Sequence, residues 1–451
     1  MQHAQFSPSD LWRTHASPFY RLPQDLIDDI VDHLAIGIEN ESLHANADIH
    51  QCIVLTSMVW VENPMMKLTT RLEELFRLYQ VNKHLIDYIH EIHLQLELSR
   101  SISWITEEGP FREIMAMKAA SRTTLHKLTI EGTRYGMHYF ENGFISNFMR
   151  PFVSPFIVCL HLKSIPTAPL EAIAGCVQLQ ELVLDSVDIF YGSFIPSSTH
   201  SLPRIKKLGY RFCAPAIELL VKGTSQGHKI IDLSSLQTLI IDTNARRDIA
   251  AAQEVINRAS DSLEELYIGP RRQEISKEAN SIASLDLCAC TRLIAIKINL
   301  KSEGPEFEDD ILLGVISTLK SLPVVCVLEA LSMEIRIGDR EADGPSRCYG
   351  MSWDRLGQEV NRISQGKKLN FSLLIRYTEP SYEDYDSDDD EQWDETSVAV
   401  HKIADLAEKR KYLADYLGSF VDRICTEKLC LQPNVVAHVE SEVVRRFRAF
   451  A

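Results

Sequence analysis

The chain has 451 residues, 45% of them hydrophobic and 24% charged, with a formal net charge of −16. That composition suits a folded protein with a large core, and it lacks the basic excess that a nucleic-acid surface needs, so nucleic acid is excluded as the expected partner. No uninterrupted apolar run approaches the ~20 residues of a membrane helix, which excludes a membrane partner in the same way.

Residues 1–20 show no periodic pattern and no apolar centre of the secretory type, so they read as a flexible lead-in to a soluble protein of the cytoplasm and/or nucleus. Residues 22–34, LPQDLIDDIVDHL, then open with Leu22 and Pro23, and a proline suits the first turn of a helix. Leu26, Ile27, Ile30, Val31 and Leu34 fall on one apolar stripe, with Asp25, Asp28, Asp29 and Asp32 on the other side. After a polar insert, residues 36–48, a second apolar segment carries Ile49, Ile53, Ser57 and Trp60 at helical spacing, with Cys52, Val54, Leu55 and Val61 broadening the apolar face. Two such helices are too small to stand alone and need a further surface.

Leu22-Pro23, the stripe from Leu26 to Leu34, and a hydrophobic helix closing in Leu55 to Trp60 together resemble the F-box, especially the version at the start of many fungal F-box proteins. The resemblance covers residues 21–66. It implies docking on the small Skp-family adaptor of a cullin-RING ubiquitin ligase, with Leu22, Pro23, Leu26, Ile27, Ile30, Val31, Leu34, Leu55 and Trp60 as the adaptor-binding residues. The alternative is a helical hairpin that only caps the rest of the chain.

Residues 68–88 have roughly helical spacing and lead into a recurring form, Leu-x-x-Leu-x-Leu with aliphatic substitutes. It begins at Ile89, Leu125, Ile157, Leu179, Ile205, Leu236, Leu263, Leu293 and Leu328, at intervals of 22 to 36 residues. Helix-like segments lie between, for example residues 214–222 and 250–259. Repetition at this period, strand plus helix per unit, predicts a stack in which no unit buries its apolar face alone. Over residues 89–377 the chain resembles irregular leucine-rich repeats. The fourth and sixth motif positions are expected in the core and the third and fifth on an outward face. That face would bind a target protein through Glu91, His93, Lys127, His161, Glu181, Lys207, Glu265, Tyr267 and Lys297. The alternative is an α/β domain whose separate parallel strands end in similar residues.

Residues 338–352 read as a surface loop, and Leu369 to Tyr377 alternate as a last strand. Between Glu379 and Glu395 stand ten acidic residues and no basic one, a run that repels itself and is expected to be disordered. Ser381 and Ser387 within it resemble acidophilic-kinase sites. Val400 to Ile424 form an amphipathic pattern, and residues 435–450 read as a further short helix, so a helical cap is expected at the end.

The expected fold is therefore α/β: a lead-in over 1–20, an F-box-like helical module over 21–66, an irregular leucine-rich-repeat solenoid over 67–377, an acidic disordered segment over 378–396 and a C-terminal helical cap over 397–451.

Catalytic motifs are missing from the sequence. There is no GxxxxGK[ST], no GxGxxG after a strand and no HExxH, so no enzyme activity and no cofactor is expected. The ten cysteines are scattered, and neither Cys288-x-Cys290 nor the Cys425/Cys430 pair has zinc-site spacing, so no metal is expected. The expected function is substrate recognition in a Skp-cullin-F-box ubiquitin ligase. The alternative is a leucine-rich-repeat scaffold for protein-protein interaction with no ubiquitin role.

Overall fold

The computed structural model describes residues 65–96, 103–106, 109–132, 140, 143–190, 201–223, 228–242, 245–269, 284–302, 310–323, 326–338, 351–365, 367–378, 418–419 and 421–444. Residues 22–34 and 49–61, the insert between them and the acidic run lie outside the described residues, as does most of the 400–424 pattern. So do all nine adaptor-binding residues, Leu22, Pro23, Leu26, Ile27, Ile30, Val31, Leu34, Leu55 and Trp60.

Alternating residues with every second one apolar make strands, and eleven of them pair here: β1 (Glu91–Gln95), β2 (Lys127–Glu131), β3 (Cys159–Pro169), β4 (Glu181–Phe190), β5 (Lys207–Arg211), β6 (Thr238–Ile241), β7 (Glu265–Ile268), β8 (Ala295–Ser302), β9 (Ala330–Gly338), β10 (Leu369–Thr378) and β11 (Val435–Val444). They form one sheet in strict sequence order, and every pairing is parallel. A right-handed crossover between parallel strands always lies on the same side when the chain advances in one direction. Among the described residues helices therefore collect on one face and leave the opposite face open. This departs from the usual parallel sheet, which is covered on both sides and reads as a continuous apolar run. Here the strands alternate instead, as the open face requires.

Register makes the alternation a set of rows. Leu128, Leu160, Leu182, Leu208, Leu239, Leu266, Ile296 and Leu331 lie side by side across β2 to β9, each no more than 1% exposed. Ile130, Leu162, Leu184, Tyr210, Ile241, Ile268, Ile298 and Met333 form the next core row. Each such burial contributes about 1.5–3 kcal/mol against exposure. A second device repeats at the strand entrances. The carbonyl of His90 accepts the N–H groups of His126 (2.8 Å) and Lys127 (3.1 Å), that of His126 those of Val158 (3.0 Å) and Cys159 (2.9 Å), and that of Val158 those of Gln180 and Glu181 (2.9 Å each). The same double acceptance continues from Gln180, Lys206, Gln237, Glu264 and Ile294.

Helices α1 (Met65–Val81), α2 (Pro110–Ala119), α3 (Leu170–Ala174), α4 (Ala214–Lys222), α5 (Arg246–Ala259), α6 (Leu312–Ser321) and α7 (Trp353–Ser364) alternate with these strands. In α5, Ile249, Ala252, Val255, Ile256 and Ala259 are buried, a stripe at helical period that faces the sheet. α7 does the same with Trp353, Leu356, Val360 and Ile363. Gly357 lets it approach closely, since a Cβ there would stand 2.0 Å from the Leu429 carbonyl oxygen. Between β2 and β3 the wide-turned π helix Phe144–Val153 contains Pro151, whose missing N–H removes one i−5 hydrogen bond. Its aromatic side continues from Phe140 (ring centroids 4.3 Å from Phe144) through Phe144 and Phe148 (5.4 Å) to Phe111 of α2 (5.8 Å).

The sheet corrects the expected architecture. The described residues form a single 11-stranded all-parallel sheet with interleaved helices, an α/β arrangement, in place of an irregular leucine-rich-repeat solenoid closed by a helical cap. All nine strand motifs lie at β1 to β9 and the alternating stretch at Leu369 is β10, but the hydrogen bonding is continuous into the segment assigned to the cap. Residues 435–444 are a strand paired with β10 over its whole length. Its valines explain why: Val435, Val436, Val439, Val443 and Val444 are β-branched, and the chain alternates Val435-x-Ala437-x-Val439 at period two. Val436 remains 50% exposed on this edge strand.

Candidate functional site

The open face displays the third, fifth and seventh positions of each motif. The structure brings the expected target-binding residues onto it together. Glu91 and His93 stand on β1, Lys127 on β2, His161 on β3, Glu181 on β4, Lys207 on β5, Glu265 and Tyr267 on β7 and Lys297 on β8. All are half-buried among their neighbours except Lys297, which is exposed.

Register decides which of them meet. Glu91 is opposite Lys127 and pairs with it at 3.1 Å, and Glu181 is opposite Lys207 and pairs at 3.0 Å. His161 Nε2 reaches Glu181 Oε1 at 3.2 Å. The His161 hydrogen bond, with Lys207 beside it, holds the Glu181 carboxyl down at about 2 against the opposing effect of burial. Glu265 accepts a hydrogen bond from the Thr238 hydroxyl at 3.3 Å, and Tyr267 lies opposite Lys297. His93 Nε2 is 3.2 Å from Glu131 Oε2, though without the alignment of a hydrogen bond.

The seventh-position row was missing from the sequence-derived set. It runs Glu131, Lys163, Asp185, Arg211 on β2 to β5, alternating in sign, with Lys163 3.7 Å from Glu131 and Arg211 3.8 Å from Asp185. The Arg211 guanidinium also lies over the Phe212 ring, 5.1 Å from its centroid. Continuing the period-two alternation one step past the motif would have found the row. On the far side, Glu334 takes Arg336 at 2.7 Å and Arg376 at 2.8 Å. Asn299, 6% exposed in the same row, has its Oδ1 buried without a hydrogen-bond partner among the described residues.

The face therefore changes character along its length. From β1 to β5 it is a lattice of opposite charges that pair with one another across strands. From β5 to β8 the fifth-position row is Gly209, Ile240, Tyr267 and Lys297, with Val183 on β4 next to Gly209. Gly209 leaves a notch between Val183 and Ile240, whose side-chain atoms would lie 3.5 and 3.7 Å from a Cβ placed there.

Cys159, a third-position residue, sits within the charged lattice, 3.6 Å from His126 Nε2 and 3.9 Å from Glu181 Oε2. Burial, reinforced by the Glu181 charge, pushes its thiol up to about 11, so at neutral pH it is not a thiolate nucleophile. Among the described residues no group of three or more His, Cys, Asp or Glu side chains is arranged to hold a metal, and no helix is long and apolar enough to cross a membrane.

Fold and face thus define an α/β protein whose parallel sheet is covered on one side and presents paired charges and a small apolar row on the other. No family model, curated protein or solved structure matches the chain.

Proposed function

We propose that the chain is the target-recognition subunit of a Skp-cullin-F-box type ubiquitin ligase. Residues 22–34 and 49–61 dock on the Skp-family adaptor, and the open sheet face holds a target protein. The chain does no chemistry of its own. It raises the effective concentration of the target at the transferring enzyme, as a tether does. The observation that carries the binding half is the uncovered face itself, a wide sheet surface that mixes charged, aromatic and apolar side chains as interfaces do. The ligase half rests on the sequence pattern from Leu22-Pro23 to Leu34 and on the Trp60 segment.

The test has two arms. The full chain, mixed with a purified Skp-family adaptor, is expected to co-elute with it, and a variant with Leu22, Pro23 and Ile30 all replaced by polar residues is expected not to. Failure of the intact chain to bind the adaptor ends the ligase reading and leaves a protein-binding scaffold without a ubiquitin role. In the second arm, targets captured from cells by the intact chain are expected to be lost when Tyr267 and Lys207 are both replaced by alanine. Retention of every target by that variant would move binding off the open face.

A further inference from the structure

We propose that a depression at the entrance of β1 and β2 binds a phosphate-type oxyanion, held by Arg122, His126 and His90. The site is independent of the ligase reading and lies at the strand ends, beside the open face.

The depression has a volume of about 520 Å³ and is lined by His90, Arg122, Thr123, Thr124 and His126. Two of these come from one short stretch of fold logic. His90 and His126 occupy the second motif position on neighbouring strands, and the His90 carbonyl accepts the His126 N–H at 2.8 Å, so strand register sets the two rings side by side. The turn after α2 brings in the others. It is pinned by Lys118, only 3% exposed, whose Nζ donates to the Ile86 carbonyl at 3.2 Å and to Thr123 Oγ1 at 2.6 Å. Thr123 in turn donates its hydroxyl proton to the Asp87 carbonyl, and the Arg122 N–H donates to Asp87 Oδ1 at 3.2 Å. The turn is thereby fixed while the Arg122 side chain stays exposed, and among the described residues no ion pair occupies its guanidinium.

Charge at this place is unbalanced. The Arg122 guanidinium is exposed, burial lowers the Lys118 ammonium below its ordinary value against the pull of Asp87, and Glu91 is already engaged by Lys127 at 3.1 Å. Burial, then Lys118, then His126 all push the His90 imidazole below its ordinary value, with Glu91 and the Thr124 carbonyl pulling the other way. An anion in the hollow would face the Arg122 guanidinium and would favour the protonated form of His90. The donor set selects its shape: a planar guanidinium fork, together with a His90 ring that takes up a second proton beside the anion and the neighbouring His126 ring, suits the several oxygens of a tetrahedral oxyanion better than the two of a carboxylate.

The experiment titrates the full chain with inorganic phosphate, with glycerol 3-phosphate and with acetate, followed by calorimetry and by the ring-proton resonances of the histidines. Saturable phosphate binding is expected, weakened about tenfold or more by Arg122→Gln combined with His126→Gln, equivalent to about 1.4 kcal/mol. The exposed Lys222→Gln variant is expected to bind like the parent. The His90 resonance is expected to titrate at higher pH when phosphate is present. Tighter binding of the monoester assigns the site to phosphorylated small molecules, and tighter binding of the free ion assigns it to inorganic phosphate. The proposal is overturned if no oxyanion saturates, if acetate binds as well as phosphate, or if the double variant, with unchanged thermal unfolding, binds as the parent does.

Discussion

His161 on β3 donates from Nε2 to Glu181 Oε1 on β4 at 3.2 Å, across a single strand boundary on the open face. The neighbouring Lys207 approaches the same oxygen at 3.0 Å. One carboxylate thus holds two donors in place.

Because the Glu181 carboxyl is held at about 2, below its ordinary 4.5, it binds fewer protons in the folded chain than in the unfolded one. Its contribution is fully present above pH 4.5 and is lost as pH falls towards 2. Glu181→Gln is expected to cost about 1–2 kcal/mol at pH 6, with the gap to the parent closing in that acid window. Urea unfolding at pH 6, 4 and 3 measures it. A gap that stays constant across this range would refute the linkage.

Asp248 caps a helix to which it does not belong. From the first turn of α5 its carboxylate accepts the Phe212 N–H at 2.8 Å and the Cys213 N–H at 3.1 Å, at the start of α4, where no side chain of the local sequence serves. The Tyr210 hydroxyl donates to the Asp248 carbonyl at 2.8 Å, joining β5 to the same place. At 1% exposure, loss of the carboxylate strands buried N–H groups. Asp248→Ala is therefore expected to destabilise by about 3 kcal/mol, and Asp248→Asn by less, since one oxygen acceptor remains. Equal unfolding midpoints for parent and Asp248→Ala would refute the cap.

Gly269 ends β7 at a φ of +102°, and a Cβ there would stand 1.9 Å from the Asn299 carbonyl oxygen on β8. Backbone conformation and close approach both demand glycine. Gly269→Ala is expected to cost about 3 kcal/mol or more and to loosen the β7–β8 pairing. Hydrogen exchange of the N–H at position 269, which in the parent donates to the Ile241 carbonyl at 2.9 Å, and of the β7–β8 ladder should accelerate. Unchanged protection there would contradict the account.

Burial pushes the thiols of Cys176 and Cys213 up to about 12 and that of Cys290 up to about 11. Native chain treated with iodoacetamide at pH 7.5 is expected to alkylate at the exposed Cys288 and Cys430 and to spare Cys159, Cys176, Cys213 and Cys290. Cys288 should react faster as pH rises past the ordinary thiol range, because its hydrogen bond to Asp286 favours the protonated form. Peptide mass mapping reads both points, and early labelling of Cys159 would contradict the burial.

What the sequence carried plainly was periodicity. The nine Leu-x-x-Leu-x-Leu motifs name β1 to β9, their fourth and sixth positions are core except for the half-buried Ile92, and α4 occupies the 214–222 range that its spacing predicts. Alternation at period two is a local property, so it survives in the linear chain. What only the tertiary structure decided is what lies beside what. The valine-rich end, expected as a short helix, is a strand because β10 offers it a partner. Asp248 cannot be seen as the cap of α4 when it stands 35 residues from Cys213, because capping acts through space while spacing rules reach only one turn. The charge rows across β1 to β5 and the cations around His90 arise from register between strands far apart in the chain. That is why the sequence could nominate outward residues one by one, while pairing into a lattice, and the gathering of His90, Arg122 and His126 around one hollow, came from the sheet.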